Sequence, residues 1–218
     1  MFDILLNYYP VMLRGLTVTL QVSLWSIAVG MVLGLILTLG LTSPYRWLRW
    51  PCGVYRSFWR GTPILLQLLL VYYLLPDIGI EVAPVTAAIM ALSLNTAAFQ
   101  AEIFRSGLNH IPAGQTEAAR MLGMGMWSIR RRVLLPQVFR TVLPPLTNEV
   151  ITIVKNSTLV SVIAVTELLR VSDQIVSRTF MPLETYLAAA VLFLLVNLVL
   201  SRLSALMEYR LSRGVATE

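Results

Sequence analysis

Two ionisable side chains, Glu149 and Lys155, stand six residues apart in a stretch that is otherwise suited to a bilayer, "NEVITIVKNST" over 148–158. Lys155 is the single lysine of the chain. An ionisable group at mid-membrane costs at least about 2.5–3.5 kcal/mol on insertion scales, so it persists where it faces a bundle interior, a cavity or a partner. At about 100° per residue, Asn148, Glu149, Thr152, Lys155 and Asn156 fall within an arc of about 120° on a helix. The remaining positions are mostly Val and Ile. Lys155 and Glu149 sit at the two edges of this stripe, about 9 Å apart along the axis. Two readings stay open. The stripe lines a midplane cavity, where Lys155 attracts a carboxylate and Glu149 an ammonium or a cationic side chain. Alternatively, both charges pair with polar groups on neighbouring helices and only brace the bundle.

A second apolar segment offers partners. Asn95, Phe99 and Glu102 recur at helical spacing, with Gln100 beside them. Asn95 is a candidate pocket donor and acceptor. Glu102 has Arg105 three residues on and is expected to pair with it or with another arginine. Ala97, Ala98 and Ala101 suit close helix packing, and Asn197 is expected to hydrogen-bond between helices. Catalytic chemistry finds no foothold. One cysteine, Cys52, allows neither an intrachain disulfide nor a cysteine metal cluster, and His110 lacks a ligand partner at metal spacing. No Gly-rich loop ending in Gly-Lys-Ser/Thr is present to cradle phosphates.

The elements that position these residues follow from composition. The chain has 218 residues, 57% of them hydrophobic and 13% charged, with mean hydropathy +0.74. Soluble domains carry about a quarter charged residues, so the expectation is one all-α integral membrane domain over 1–218. The amino terminus, "MFDILLNYYP", has no early basic cluster or small-residue cleavage site and does not read as a signal peptide. Five spans are expected, at about 16–41, 57–75, 82–104, 139–165 and 185–206. The second crosses only if "VYRSFW" extends its helix through the interface.

Charge orients this bundle. The loops after spans one and three, with the tail after span five, hold 13 arginines; the opposite side holds 3. Basic residues favour the cytoplasm. The amino terminus is therefore expected outside and the carboxyl terminus inside, and the high pI reflects topology rather than nucleic-acid binding.

The segment Ile111–Gln137 is too long for a mere connector. Pro112 suits a helix start and Glu117 an early acid. Gly123 and Gly125 should break that helix, and a second, from Met126 to Leu134, should stop before Pro136. Such a pair is either a docking surface for another protein or an interfacial element whose Arg130, Arg131 and Arg132 meet lipid phosphates.

Glu117-Ala118-Ala119, Gly123 and Val133-Leu134-Leu135-Pro136 resemble, in residue and spacing, the EAA loop of binding-protein-dependent ABC importer permeases; Val133 stands where that pattern has Ile. "RGTPILLQLLLVYYLLP" (60–76), "LNTAAFQAEIFRSGL" (94–108) and "LPQVFRTVLPPLTNEV" (135–150) are similar to the polar amino acid subfamily. The likeness runs from about Tyr8 to Leu211. It implies the type I importer permease fold of five transmembrane helices with a cytoplasmic coupling loop, in the bacterial inner membrane. Glu117, Ala118, Ala119, Gly123 and Met124 would couple to the ATPase, and Asn95, Phe99, Glu149, Thr152, Lys155 and Asn156 would meet substrate. Family members often have an acid where Asn156 stands, which leaves this pocket less negative. Implied partners are two ATPase subunits, a second permease chain and an amino acid-binding protein contacting the loops at 77–84 and 167–184. The chain itself would hold no cofactor; ATP and Mg would bind the ATPases. The alternative is an ion-coupled secondary transporter using Glu149 or Lys155 as a charge relay, which predicts an internal repeat that the sequence does not display.

Overall fold

The computed structural model describes the backbone of residues 2–212 and the side chains of 7–210. Of the arginines counted above, Arg213 lies outside the described residues. Among the described residues there are helices and no strands.

Helix α1 runs from Phe2 to Leu41, well beyond the expected start at residue 16. At 1.5 Å per residue it is about 60 Å long, twice a bilayer core, so it projects past the apolar layer or tilts within it. It stops at Thr42-Ser43-Pro44, where proline disfavours a helical predecessor. Helix α4, Pro84–Asn109, begins on proline and lies at the centre. Its most apolar window is 61% buried, against 17% for the last helix, α9 (Pro182–Ser212), which is therefore peripheral.

Small residues bring α1 and α4 together. A Cβ on Gly30 would lie 2.2 Å from Thr96 Cγ2, and one on Gly34 would lie 3.0 Å from Gln100 Cβ. Ala97, Ala98 and Ala101 are fully buried there, as close packing in a membrane requires. One apolar core joins α1, α4 and α3 (Ile64–Asp77); a second joins α1, α9 and α8 (Leu168–Thr179).

The expected second span is interrupted. Residues 46–61 form α2, and α3 starts only at Ile64, bent from it by 112°. Thr62 and Pro63 are extended at the break, since proline sets its own φ and restricts its predecessor. "VYRSFW" therefore does not lengthen α3. Among the described residues three helices are long and apolar enough to cross a membrane, or four if the bent pair counts as one. The fourth expected span, 139–165, rests on α7, Leu135–Asn156, whose polar stripe lowers its hydropathy.

Two further boundaries differ from expectation. Pro136 does not end the second loop helix. α6 (Met126–Ile129) passes through a π segment, Arg130–Leu134, directly into α7. The wider π turn accommodates the proline ring and its missing N–H. At its other end α7 narrows to a 3-10 turn, Ser157–Ile163, closed by Ala164 at φ +64°. Asn197 Oδ1 is buried without a hydrogen-bond partner, contrary to its expected role.

The segment after residue 165 carries α8, whose start is fixed by Glu167. Its carboxylate accepts from the N–H groups of Leu169 and Arg170, both at 2.8 Å, an N-cap arrangement. Thr19 on α1 lies 3.5 Å away and accepts from Leu168 N–H. Glu167 is fully buried; burial pushes its carboxyl up to about 6, against the downward pull of the two amides. The folded chain thus holds this proton more tightly than the unfolded one. The contribution is full below the unfolded value of 4.5 and is lost as pH rises through about 6. The thermal midpoint of the purified protein is expected to fall over that window, and Glu167→Gln should remove the step.

Candidate functional site

Three elements converge on one polar cavity. The α2–α3 break supplies Trp59, Thr62 and Ile64; α4 supplies Asn95 and Phe99; α7 supplies Glu149, Thr152 and Asn156. Its volume is about 210 Å³, below the roughly 300–1,000 Å³ of drug-sized pockets, which suits a small polar solute. A larger hollow of about 640 Å³ between α1, α4 and α7 is lined by Leu35, Leu39, Phe104, Leu135 and their neighbours. It offers no charged group to a solute.

Glu149 gives the smaller cavity its charge. It is buried, and Thr96 Oγ1 donates to its Oε1 at 2.7 Å. Gln100 Nε2 in turn donates to Thr96 Oγ1 at 3.1 Å. Two side chains of α4 thus hold one carboxylate of α7 in place. No salt bridge reaches Glu149 among the described residues. A buried carboxylate matched only by neutral donors is costly unless a cation joins it.

Asn95 performs a supporting task. Its Nδ2 donates to Gln67 Oε1 at 2.7 Å and to the Trp59 carbonyl at 3.1 Å. Gln67 Nε2 donates to Thr62 Oγ1 at 2.7 Å and to the Trp59 carbonyl at 2.9 Å. These bonds satisfy backbone groups freed at the break and fix the cavity wall made by Trp59 and Thr62.

Of the six sequence-derived candidates, Asn95, Phe99, Glu149, Thr152 and Asn156 line one cavity. Lys155 does not line it; the side chain is exposed. The guanidinium of Arg60 stands over the cavity-lining Phe99, its Cζ 5.4 Å from the ring centroid, within cation–π range. Arg60, Trp59, Thr62 and Thr96 were not among the expected site residues. The signal for Arg60 and Thr62 was "RGTP", where a Gly-Thr-Pro break inside an apolar run marks irregular backbone at membrane depth, tolerated where it lines a cavity. Glu102 pairs as expected with Arg105, and also with Arg56 at 3.2 Å and Arg60 at 3.7 Å. Among the described residues no group of His, Cys, Asp and Glu could hold a metal.

The loop before α7 builds a second feature. α5, Ala113–Met121, begins after Pro112, so Glu117 lies beyond the first turn rather than within it. α5 ends with Gly123 N–H donating to the Arg120 carbonyl at 2.9 Å and Met124 N–H to the Ala119 carbonyl at 3.1 Å. With Gly123 at φ +73° this is a Schellman motif. Glu117 and Ala118 are exposed, Met124 is half-buried and Ala119 is buried. Met121, Leu122 and Trp127 project outward, at 90%, 82% and 75% exposure. So large an apolar display marks a contact surface.

An all-helical membrane bundle with a broken helix at a polar cavity, and an apolar helical loop outside it, defines a transport subunit. Residues 30–213 match the family described as binding-protein-dependent transport system inner membrane component, and the chain belongs to that family. ATP hydrolysis in such systems lies with partner subunits, so the chain is a permease and not an enzyme. It is 41% identical over 185 residues to a probable amino-acid ABC transporter permease, YckA, of Bacillus subtilis (strain 168), covering 85% of this chain and 82% of the relative. It is 36% identical to the arginine transport system permease ArtQ of the same organism, over 96% of each. A solved amino acid ABC transporter superposes with TM-score 0.90 at 36% identity, over 96% of this chain and 98% of that one. A methionine ABC transporter in inward-facing form shares the fold at TM-score 0.76 and 23% identity. This membership stands against the secondary-transporter alternative.

Proposed function

We propose that this chain is the pathway subunit of an ATP-driven amino acid importer and that the cavity around Glu149 receives the substrate. The observation that carries the proposal is a buried carboxylate on the wall of a small polar cavity, held by the Thr96 hydroxyl and in no ion pair among the described residues. In this reading Glu149 meets the α-ammonium. Arg60, reaching over Phe99, meets the α-carboxylate, and Thr152 and Asn156 contact the side chain. Lys155 is a charge flanking the path outside the cavity. The relatives' names support the substrate class.

The chain is proposed to act as a dimer, with itself or a paralogue, on two ATPase subunits that bind ATP and Mg. A binding protein delivers substrate to the outer segments 77–84 and 167–184. The amino terminus faces outward and the carboxyl terminus the cytoplasm. Closure of the ATPases moves the paired 113–129 loops, and the attached helices rock the pathway. Proteoliposomes holding the permease, its ATPases and its binding protein test this. ATP-dependent uptake of some member of an amino acid panel is expected; uptake of none would overturn it.

Asn156 leaves Glu149 as the one carboxylate on the cavity wall. Asn156→Asp adds an acid beside Glu149, so the uptake ratio of arginine to a neutral amino acid is expected to rise about ten-fold, as for one charge-assisted hydrogen bond. Competition assays in the same vesicles read it.

A further inference from the structure

Thr96 bonds unlike the other helical hydroxyls around it. On α1 and α7, Thr19, Ser23, Thr38, Thr147 and Thr152 each donate to the carbonyl four residues before, the habitual partner of a hydroxyl inside a helix. Thr96 is buried on α4 and donates across to Glu149 Oε1 at 2.7 Å instead. A hydroxyl has one hydrogen to give, so its own helix receives none. Two neighbours permit the exception. Gly30 on α1 leaves room for the Thr96 methyl, since a Cβ there would lie 2.2 Å from Thr96 Cγ2. One turn further along α4, Gln100 Nε2 donates to Thr96 Oγ1 at 3.1 Å. An amide nitrogen only donates, so this contact leaves the hydroxyl hydrogen to Glu149.

Packing does not account for Gln100. The side chain is 1% exposed, and its Oε1 is buried without a hydrogen-bond partner. The donation to Thr96 is its one side-chain hydrogen bond among the described residues. A bare carbonyl oxygen inside a helix interface is unfavourable, and Met or Leu of similar volume would fill the same space without it. Gln100 does not line the cavity either, so it acts through another residue. We infer that Gln100 is a positioning residue for solute binding: its amide turns the Thr96 hydroxyl onto Glu149, and the fold carries an unpaired oxygen to keep it there. The inference rests on the proposed reading of the Glu149 cavity as the amino acid site. The amide N–H strengthens the hydroxyl as a donor, which holds the carboxylate at one place on the cavity wall to meet an ammonium. Without that N–H the hydroxyl falls back on the Leu92 carbonyl, four residues before, and Glu149 loses its anchor.

Proteoliposomes holding the permease, its ATPases and its binding protein test this, with a panel of labelled amino acids, arginine among them, as probes. Each variant is compared on the amino acid that the unsubstituted assembly takes up fastest. Gln100→Met and Gln100→Leu should each cut that uptake roughly three-fold, the size of one neutral hydrogen bond. The melting temperature of the purified assembly should hold or rise, because the unpaired oxygen is gone. Thr96→Val with Gln100→Met should lose no more uptake than Thr96→Val alone, since the two residues act in series. Full uptake by both Gln100 variants would overturn the inference. So would losses that multiply in the double variant, or a fall in melting temperature or failed assembly in both single variants, each of which would make Gln100 a structural residue. Glu149→Gln tells the two levels apart. Normal uptake by that variant, or none by the unsubstituted assembly, removes the cavity reading and this inference with it. Impaired uptake by Glu149→Gln beside full uptake by the Gln100 variants removes this inference alone.

Discussion

Glu149→Gln is expected to cut amino acid uptake by roughly ten- to a hundred-fold while leaving membrane insertion and ATPase association intact. The magnitude is that of one hydrogen bond to a charged group, about 1.5–3 kcal/mol, lost between the cavity and an ammonium. Glutamine keeps the volume and still accepts from Thr96 Oγ1, which donates to Glu149 at 2.7 Å. The packing of α7 on α4 should therefore survive. A carboxylate that only braced the bundle would give a different result: the neutral amide would serve the brace equally well, and transport would persist. Uptake measured beside the melting temperature separates the two. Thr96→Val supplies the second arm. It removes the donor that orients the carboxylate and should weaken uptake less than Glu149→Gln, because the charge remains. Normal uptake by Glu149→Gln in a fully assembled transporter would sink the cavity assignment.

Which parts of this site were legible in the sequence follows from how each contact is encoded. The polar stripe of α7 was legible because helical periodicity alone puts Glu149, Thr152 and Asn156 on one face. Asn95 and Phe99 were legible for the same reason on α4. Periodicity also placed Lys155 on the stripe, but at its edge, and an angle about one helix axis does not say which edge a neighbouring helix covers. Here α4 covers the Glu149 side and leaves Lys155 exposed. Arg60 and Trp59 were harder. Their approach to the cavity depends on the 112° bend at Thr62-Pro63, and a proline after threonine signals a break without fixing its angle. The passage from α6 to α7 was misjudged because Pro136 reads as a stop; only the π segment, which sequence rules rarely foresee, lets the helix continue. Spans one, three and five were plain from hydropathy, whereas the fourth, expected over 139–165, falls on α7, whose polar stripe and two internal prolines keep that helix from passing the same measure.

The loop outside the bundle yields the other large effect. Gly123→Val is expected to uncouple hydrolysis from import, with ATPase turnover persisting while uptake falls by an order of magnitude or more. Space is not the cause, for a Cβ on Gly123 would meet nothing within 4 Å in this chain. The backbone is the cause. Gly123 sits at φ +73°, where an L-residue costs about 1–2 kcal/mol, and a β-branched side chain tolerates that region worst. The strain would open the turn whose two hydrogen bonds, from Gly123 N–H to the Arg120 carbonyl and from Met124 N–H to the Ala119 carbonyl, set α5 against α6. Met121, Leu122 and Trp127 would then no longer present one surface. A lever transmits motion only while its arms keep their angle, so a partner that still docks and hydrolyses ATP would move the loop without moving α7. Gly123→Asn separates this from general misfolding, since asparagine enters the left-handed region readily. It should retain most coupling where valine does not. Glu117→Lys, exposed on α5, should instead weaken docking itself and show as loss of co-purified ATPase. Full coupling by Gly123→Val would mean that the turn carries no force and that motion reaches α7 through another contact.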